Sequence, residues 1–234
     1  MDLNIKDISK HISPAHLSRG YTAGREIRKF TKLVGLIYFG SVNQVDDEYR
    51  LVRGITASNT HRDTHYSVGS FDGHDIAVVI RRDALHYADD RVRRLEWTIM
   101  TVDAHTDYEL PHIFISHDKA REILLAKYSQ LTPLVVGIHE PHDPQFTDQY
   151  TVSADIAHAV EVEDFITPDI THAIQTQFDN IAIEIEDNTV YLYTSHDRPT
   201  LAELERMASN GIWLAQKLDE ASRRVQQRLS DYSN

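Results

Sequence analysis

The run IAIEIEDNTVYLYTS, residues 181–195, constrains this chain more than any other stretch. Apolar residues recur at every second position on both sides of Asp187-Asn188, which is the period of a β-strand. A two-residue hairpin turn wants positive φ at both central positions, and Asp and Asn tolerate that conformation better than most side chains. In this register Ile181, Ile183 and Ile185 share a face with Val190, Leu192 and Thr194. Ala182, Glu184 and Glu186 share the other with Tyr191 and Tyr193. One side is apolar and the other amphipathic, which predicts a sheet covered by a helix.

That helix follows directly. Thr200 and Glu203 form a capping box. Leu204, Ala208, Gly211, Ala215, Leu218, Ser222, Val225 and Leu229 then recur at spacings of four and three. The stripe is predicted to pack on the neighbouring sheet, with Ala208, Gly211 and Ala215 allowing another backbone close. A homodimer through this C-terminal helix is the alternative use of the stripe, although Gly211 and Ser222 are weak coiled-coil seam residues.

The first half reads as more sheet after a short helix, AGREIRKFTK (23–32). LVGLIYFGSV (33–42), YRLVRGITAS (49–58), THYSVGSF (64–71), HDIAVVIRR (74–82) and LEWTIMTVD (95–103) are β-type runs between polar turns. Asp72-Gly73 predicts a hairpin that sets Val68 opposite Ala77, Tyr66 opposite Val79, and His65 facing Ile80. Both faces carry apolar residues, so this hairpin is expected to be central and covered on both sides.

After PHIFIS, SHDKAREILLAKYSQ (116–130) predicts a helix with Ser116 as N-cap, and LTPLVVGI (131–138) a further strand. HEPHDPQFTDQ (139–149), with two prolines and no periodicity, reads as a boundary. It would separate a β-rich N-terminal lobe, residues 1–140, from a C-terminal ααββα lobe, residues 148–234, unless the two run on as one continuous domain. ADIAHAVEVEDF (154–165) and TPDITHAIQTQF (167–178) supply helices, the second with Thr167 as N-cap and Pro168 at the first helical position. The fold class expected is α+β: a largely antiparallel β-sheet with helices packed on one face and a long C-terminal helix.

The stretches LEWTIMTVD, QYTVSADIAHA, FITPDITHAI and IAIEIEDNTVYLY, with the helix from Thr200, resemble an uncharacterised family of bacterial proteins, a domain of unknown function. The resemblance runs over residues 33–218. It implies a scaffold or binding role and brings no catalytic residues with it. Members of that family can carry membrane helices ahead of the domain; none is expected here.

The formal charge of −12 disfavours a phosphate backbone as partner, so no nucleic acid is expected. The basic residues Arg81, Arg82, Arg91, Arg93 and Arg94 are broken by Asp83, Asp89 and Asp90 and read as a solvated face. The chain has no cysteine, which excludes disulfides, a thiolate zinc site and a cysteine nucleophile. The N-terminal MDLNIKDISKHISP is unlike a secretory signal, and the longest apolar run is far short of the roughly 20 residues that span a bilayer. A cytoplasmic protein with no membrane span is expected.

Fourteen histidines are present, and neutral imidazole is a common metal ligand. His61, Asp63 and His65 alternate, as do Asp103, His105 and Asp107, so each trio would share a face of an extended strand. If the two converged they would offer zinc or another divalent metal a site for hydrolysis. His139, Glu140, His142 and Asp143 form a third cluster. None matches an established ligand spacing. Glu184 and Glu186 read as a solvated face, Tyr191 and Tyr193 as core, and His112 and His117 as capping or surface groups. GSFDG around Ser70 is not a nucleophile elbow, and no Gly-rich phosphate loop is present. The leading expectation is a non-catalytic binding or scaffold protein without cofactor, acting through a protein or small-ligand surface. The metal-dependent hydrolase is the alternative.

Overall fold

A computed structural model describes residues 14–41, 61–86, 88, 91–117, 130–194 and 199–232. The strand expected over 49–58 and most of the helix expected over 116–130 lie outside the described residues. Helix α1 (Pro14–Val34) leads into β1 (Ile37–Ser41), then β2 (Arg62–Phe71), β3 (His74–His86), β4 (Val92–Asp103), β5 (Ile113–His117) and β6 (Thr132–Leu134). Helix α2 (Pro144–Gln149) and β7 (Tyr150–Ala154) follow. After a 3-10 turn come α3 (Ala159–Phe165), α4 (Pro168–Gln177), β8 (Ala182–Glu186), β9 (Thr189–Thr194) and α5 (Leu201–Tyr232).

The strands form one nine-stranded sheet in the order β1-β2-β3-β4-β9-β8-β5-β7-β6, with every pairing antiparallel. The hairpin β8–β9 has its expected register, Ile183 opposite Leu192 and Ile185 opposite Val190. Both turn residues have positive φ, 49° at Asp187 and 56° at Asn188. This hairpin inserts between β4 and β5, so strands from either side of residues 139–149 interleave. Helix α2 lies within residues 139–149, the segment expected as a boundary. Asp143 caps that helix by accepting from Gln145 N at 2.8 Å, and Pro144 occupies its first turn.

The described helices pack on one face of the sheet. Their buried residues, Ile27, Phe30, Phe146, Phe165, Ile174, Leu204, Leu214 and Leu218 among them, pack with Ile76, Val78, Met100, Ile113, Ile183 and Leu192. Burial of each such side chain stabilises the fold by about 1.5–3 kcal/mol. The α5 stripe is buried from Leu204 to Val225, while Leu229 is exposed. A Cβ added at Gly211 would meet Val102 Cγ2 at 2.7 Å and Leu192 Cδ1 at 3.0 Å, so the missing side chain sets how close the helix lies. The capping box forms: Glu203 N donates to Thr200 Oγ1 at 3.2 Å and Thr200 N to Glu203 Oε2 at 2.8 Å. The other face buries Tyr66, Val79, Leu95, Trp97, Ile99, Phe114 and Tyr193, so β3 is covered on both sides.

Several expectations are corrected. Thr64 pairs with Ile80 and Ser67 with Val78, so His65 and Tyr66 together oppose Val79 in a bulge. Val68 does face Ala77. Ser116 lies within β5 and is no helix cap. The strand expected over 131–138 is confined to Thr132–Leu134, because Gly137 turns left-handed with φ of 89°. Helix α1 is longer than residues 23–32, and Gly35 at φ 82° closes it by donating to Thr31 O at 2.9 Å. The helix expected over 154–165 begins as strand, and Asp155 then caps a 3-10 turn.

Candidate functional site

The Asp63 carboxylate is engaged by Arg81. Arg81 Nε donates to Oδ1 at 2.9 Å and Nη2 to Oδ2 at 2.8 Å. Both residues are buried, with Arg81 at 0% exposure, and a desolvated guanidinium and carboxylate hold each other in this bidentate fork. His61 Nε2 stands 4.0 Å from Asp63 Oδ2. His65 leaves the alternation at the bulge, where its φ is 59°. Its Nδ1 meets the Tyr38 hydroxyl at 2.7 Å, and Arg28 sits 4.8 Å over the Tyr38 ring. Burial lowers the His65 pKa, with the charges of Arg28 and Arg82 adding to the effect. His65 therefore ties α1, β1 and β2 together.

Asp103, His105 and Asp107 are not extended together, because β4 ends at Asp103. His105 stacks on His74 with ring centres 4.7 Å apart and lies 3.6 Å from the Asp103 carboxylate, while His74 Nδ1 meets Asp103 O at 2.9 Å. Asp107 is exposed. Arg81 lies opposite Trp97, and from Trp97 to Asp103 the strand covers about 20 Å. Asp63 and Asp103 are thus about 20 Å apart along the strands, and the structure does not bring the two trios together.

The third cluster does line a cleft. His139, Glu140 and His142 form one wall, the α3–α4 corner from Glu163 to Asp169 a second, and the last turns of α5 a third, enclosing about 700 Å³. The loop is held from below: Gly137 N and Ile138 N donate to the two Glu163 oxygens at 2.8 and 3.2 Å. Gly137 also makes room for His142, whose Cδ2 would lie 2.8 Å from a Cβ at 137. His142 Nδ1 is 3.0 Å from Thr171 Oγ1, which itself donates to Pro168 O at 3.0 Å. The threonine proton being committed, Nδ1 carries the hydrogen and Nε2 is left as an acceptor. Burial lowers the His142 pKa against the opposing pull of Glu163 and Glu140. Across the cleft Arg228 pairs with Asp164 at 2.6 Å.

A fourth cluster, not expected from the sequence, lies on the second sheet face. Continuing the β5–β8 register from Phe114 opposite Glu184 and Ile113 opposite Ile185 brings His112 to Glu186. His112 Nε2 lies 2.8 Å from Glu184 Oε1, and Nδ1 3.7 Å from Glu186 Oε1. Glu184 is 0% exposed, so it is no solvated carboxylate, and Tyr193 donates its phenol hydrogen to Glu184 Oε2. Burial alone would lower the His112 pKa; the hydrogen bond to Glu184 and the charges of Glu184, Glu186 and Asp187 outweigh it and raise the value. Asn188 positions the approach to His112, accepting from Leu110 N and donating to Thr106 O, both at 2.9 Å. Sequence alternation put Glu184 and Glu186 on one face. The β5–β8 pairing that adds His112 is non-local and leaves no local signal.

The fold is that of an α+β protein with a cleft of about 700 Å³ beside a continuous antiparallel sheet. Among the described residues no helix is long and apolar enough to cross a membrane. No protein-family model and no curated protein matches the chain. Among solved structures it is similar to the mycobacterial trehalose monomycolate transport factor A. The two are 12% identical, the match covers 86% of this chain and 94% of that one, and the TM-score is 0.49.

Proposed function

We propose that the protein is a non-catalytic binding protein that takes a small, amine-bearing polar molecule in the cleft between α5 and the α3–α4 corner. The cleft itself carries this reading. Its volume of about 700 Å³ falls in the range of about 300–1,000 Å³ common to small-molecule sites. Ala221, Val225 and Pro168 supply apolar surface, and His142 an acceptor nitrogen. Of the acids lining it, Glu163 is engaged by Gly137 N and Ile138 N, and Asp164 by Arg228. Glu140, Asp169 and Asp231 remain against Arg224, which favours a cationic occupant.

The test is a thermal-shift and NMR titration with spermidine, with arginine, and with succinate as the anionic control. Amines are expected to raise Tm and to perturb the amides of residues 137–142 and 224–231. The Glu140→Gln, Asp231→Asn double variant, which changes two exposed side chains, should bind at least tenfold more weakly. Absence of saturable amine binding, or equal binding by the double variant, overturns the reading.

A further inference from the structure

We propose that His112, Glu184 and Glu186 form a binding site for one divalent transition-metal ion at the margin of the second sheet face. Ligand atoms of these three side chains lie within 4.8 Å of one another. Metal–ligand bonds of about 2.0–2.2 Å place neighbouring donors about 3.0–3.5 Å apart. His112 now faces Glu184 Oε1 through Nε2 at 2.8 Å and Glu186 Oε1 through Nδ1 at 3.7 Å. One metal ion takes a single ring nitrogen, so binding requires both carboxylates to turn to the same edge of the imidazole.

The placement of the donors points the same way. Glu184 is fully buried, and the β5–β8 register sets Glu186 and His112 beside it on the same sheet face. Tyr193 holds Glu184 Oε2 and leaves Oε1 turned to His112, the arrangement in which an outer hydroxyl orients a ligating carboxylate. The His112 and Glu186 side chains are 18% and 31% exposed, which opens an entry path and a position for water. One nitrogen and carboxylate oxygens, with no sulfur, suit Zn²⁺, Mn²⁺, Fe²⁺ or Co²⁺ and disfavour Cu⁺.

Full-length protein, purified without an affinity tag and stripped with chelator, is titrated with Zn²⁺ and Mn²⁺ by calorimetry and with Co²⁺ by visible absorption. One saturable equivalent is expected, with Co²⁺ bands and a zinc-dependent rise in Tm. Glu186→Gln and His112→Gln should each weaken binding at least tenfold and abolish the Co²⁺ bands. A His139→Gln, His142→Gln variant should bind as the parent does, which separates this site from the cleft and from adventitious histidine binding. Melting curves of the metal-free variants check folding; if His112→Gln does not fold, Glu186→Gln, at a partly exposed position, decides alone. No saturable equivalent, or unchanged affinity in Glu186→Gln, overturns the proposal.

Discussion

Gly24 lies directly beneath the His65 imidazole: a Cβ at position 24 would meet His65 Cε1 at 2.4 Å and Nδ1 at 2.9 Å. The same Nδ1 meets the Tyr38 hydroxyl at 2.7 Å, so the ring has little room to yield. By helix propensity alone Gly24→Ala would stabilise α1 by about 1 kcal/mol. Overpacking against a pinned ring costs about 1–3 kcal/mol, and the net expected result is a lower urea midpoint at unchanged m-value. A rise in the midpoint would show that the ring moves freely.

His65 also makes stability depend on pH. Its pKa is lowered by burial and by Arg28 and Arg82, and its Nδ1 meets the Tyr38 hydroxyl. The unfolded chain, titrating near 6.5, therefore binds the proton more readily than the folded one. The neutral ring's contribution is complete above pH about 6.5 and is lost as pH falls toward the lowered folded value. Urea midpoints measured from pH 5 to 7.5 should decline on the acid side, and His65→Gln should flatten that decline. An unchanged slope in the variant would remove His65 from the account.

The Asp63–Arg81 pair is expected to behave as a unit. Removing one partner strands a buried charge, so Asp63→Asn or Arg81→Met should each destabilise by about 3–5 kcal/mol. Replacing both, as Asp63→Leu with Arg81→Met, should recover much of that loss, because the two ions shed their desolvation together. Chemical denaturation of the parent, Asp63→Leu, Arg81→Met and the double variant gives the coupling directly. Additive losses would mean the fork is not the dominant contact of either side chain.

Asn188 separates local from tertiary roles at a turn. Its φ of 56° would suit glycine, and turn chemistry alone makes Asn188→Gly neutral. The side chain, however, bonds both Leu110 N and Thr106 O, and loss of those bonds should cost about 1–3 kcal/mol. Hydrogen exchange should quicken at Leu110 while the β8–β9 amides keep their protection. Unchanged exchange at Leu110 would refute this role.

The sequence by itself determined the elements whose information is local: the two hairpin turns, the alternating faces of β8 and β9, the capping box at Thr200 and the α5 stripe with Gly211 in it. A turn's backbone preference and a period of two or 3.6 are written in adjacent residues. Where a bulge intervened, as at His65, alternation misplaced the side chains beyond it, since one extra residue reverses every face. Tertiary structure alone decided that β8–β9 inserts between β4 and β5. That pairing gives buried Glu184 its His112, and the β2–β3–β4 register sets Asp63 about 20 Å from Asp103 along the strands. Register between strands distant in the chain follows from how the whole core closes, and no single stretch of residues encodes it.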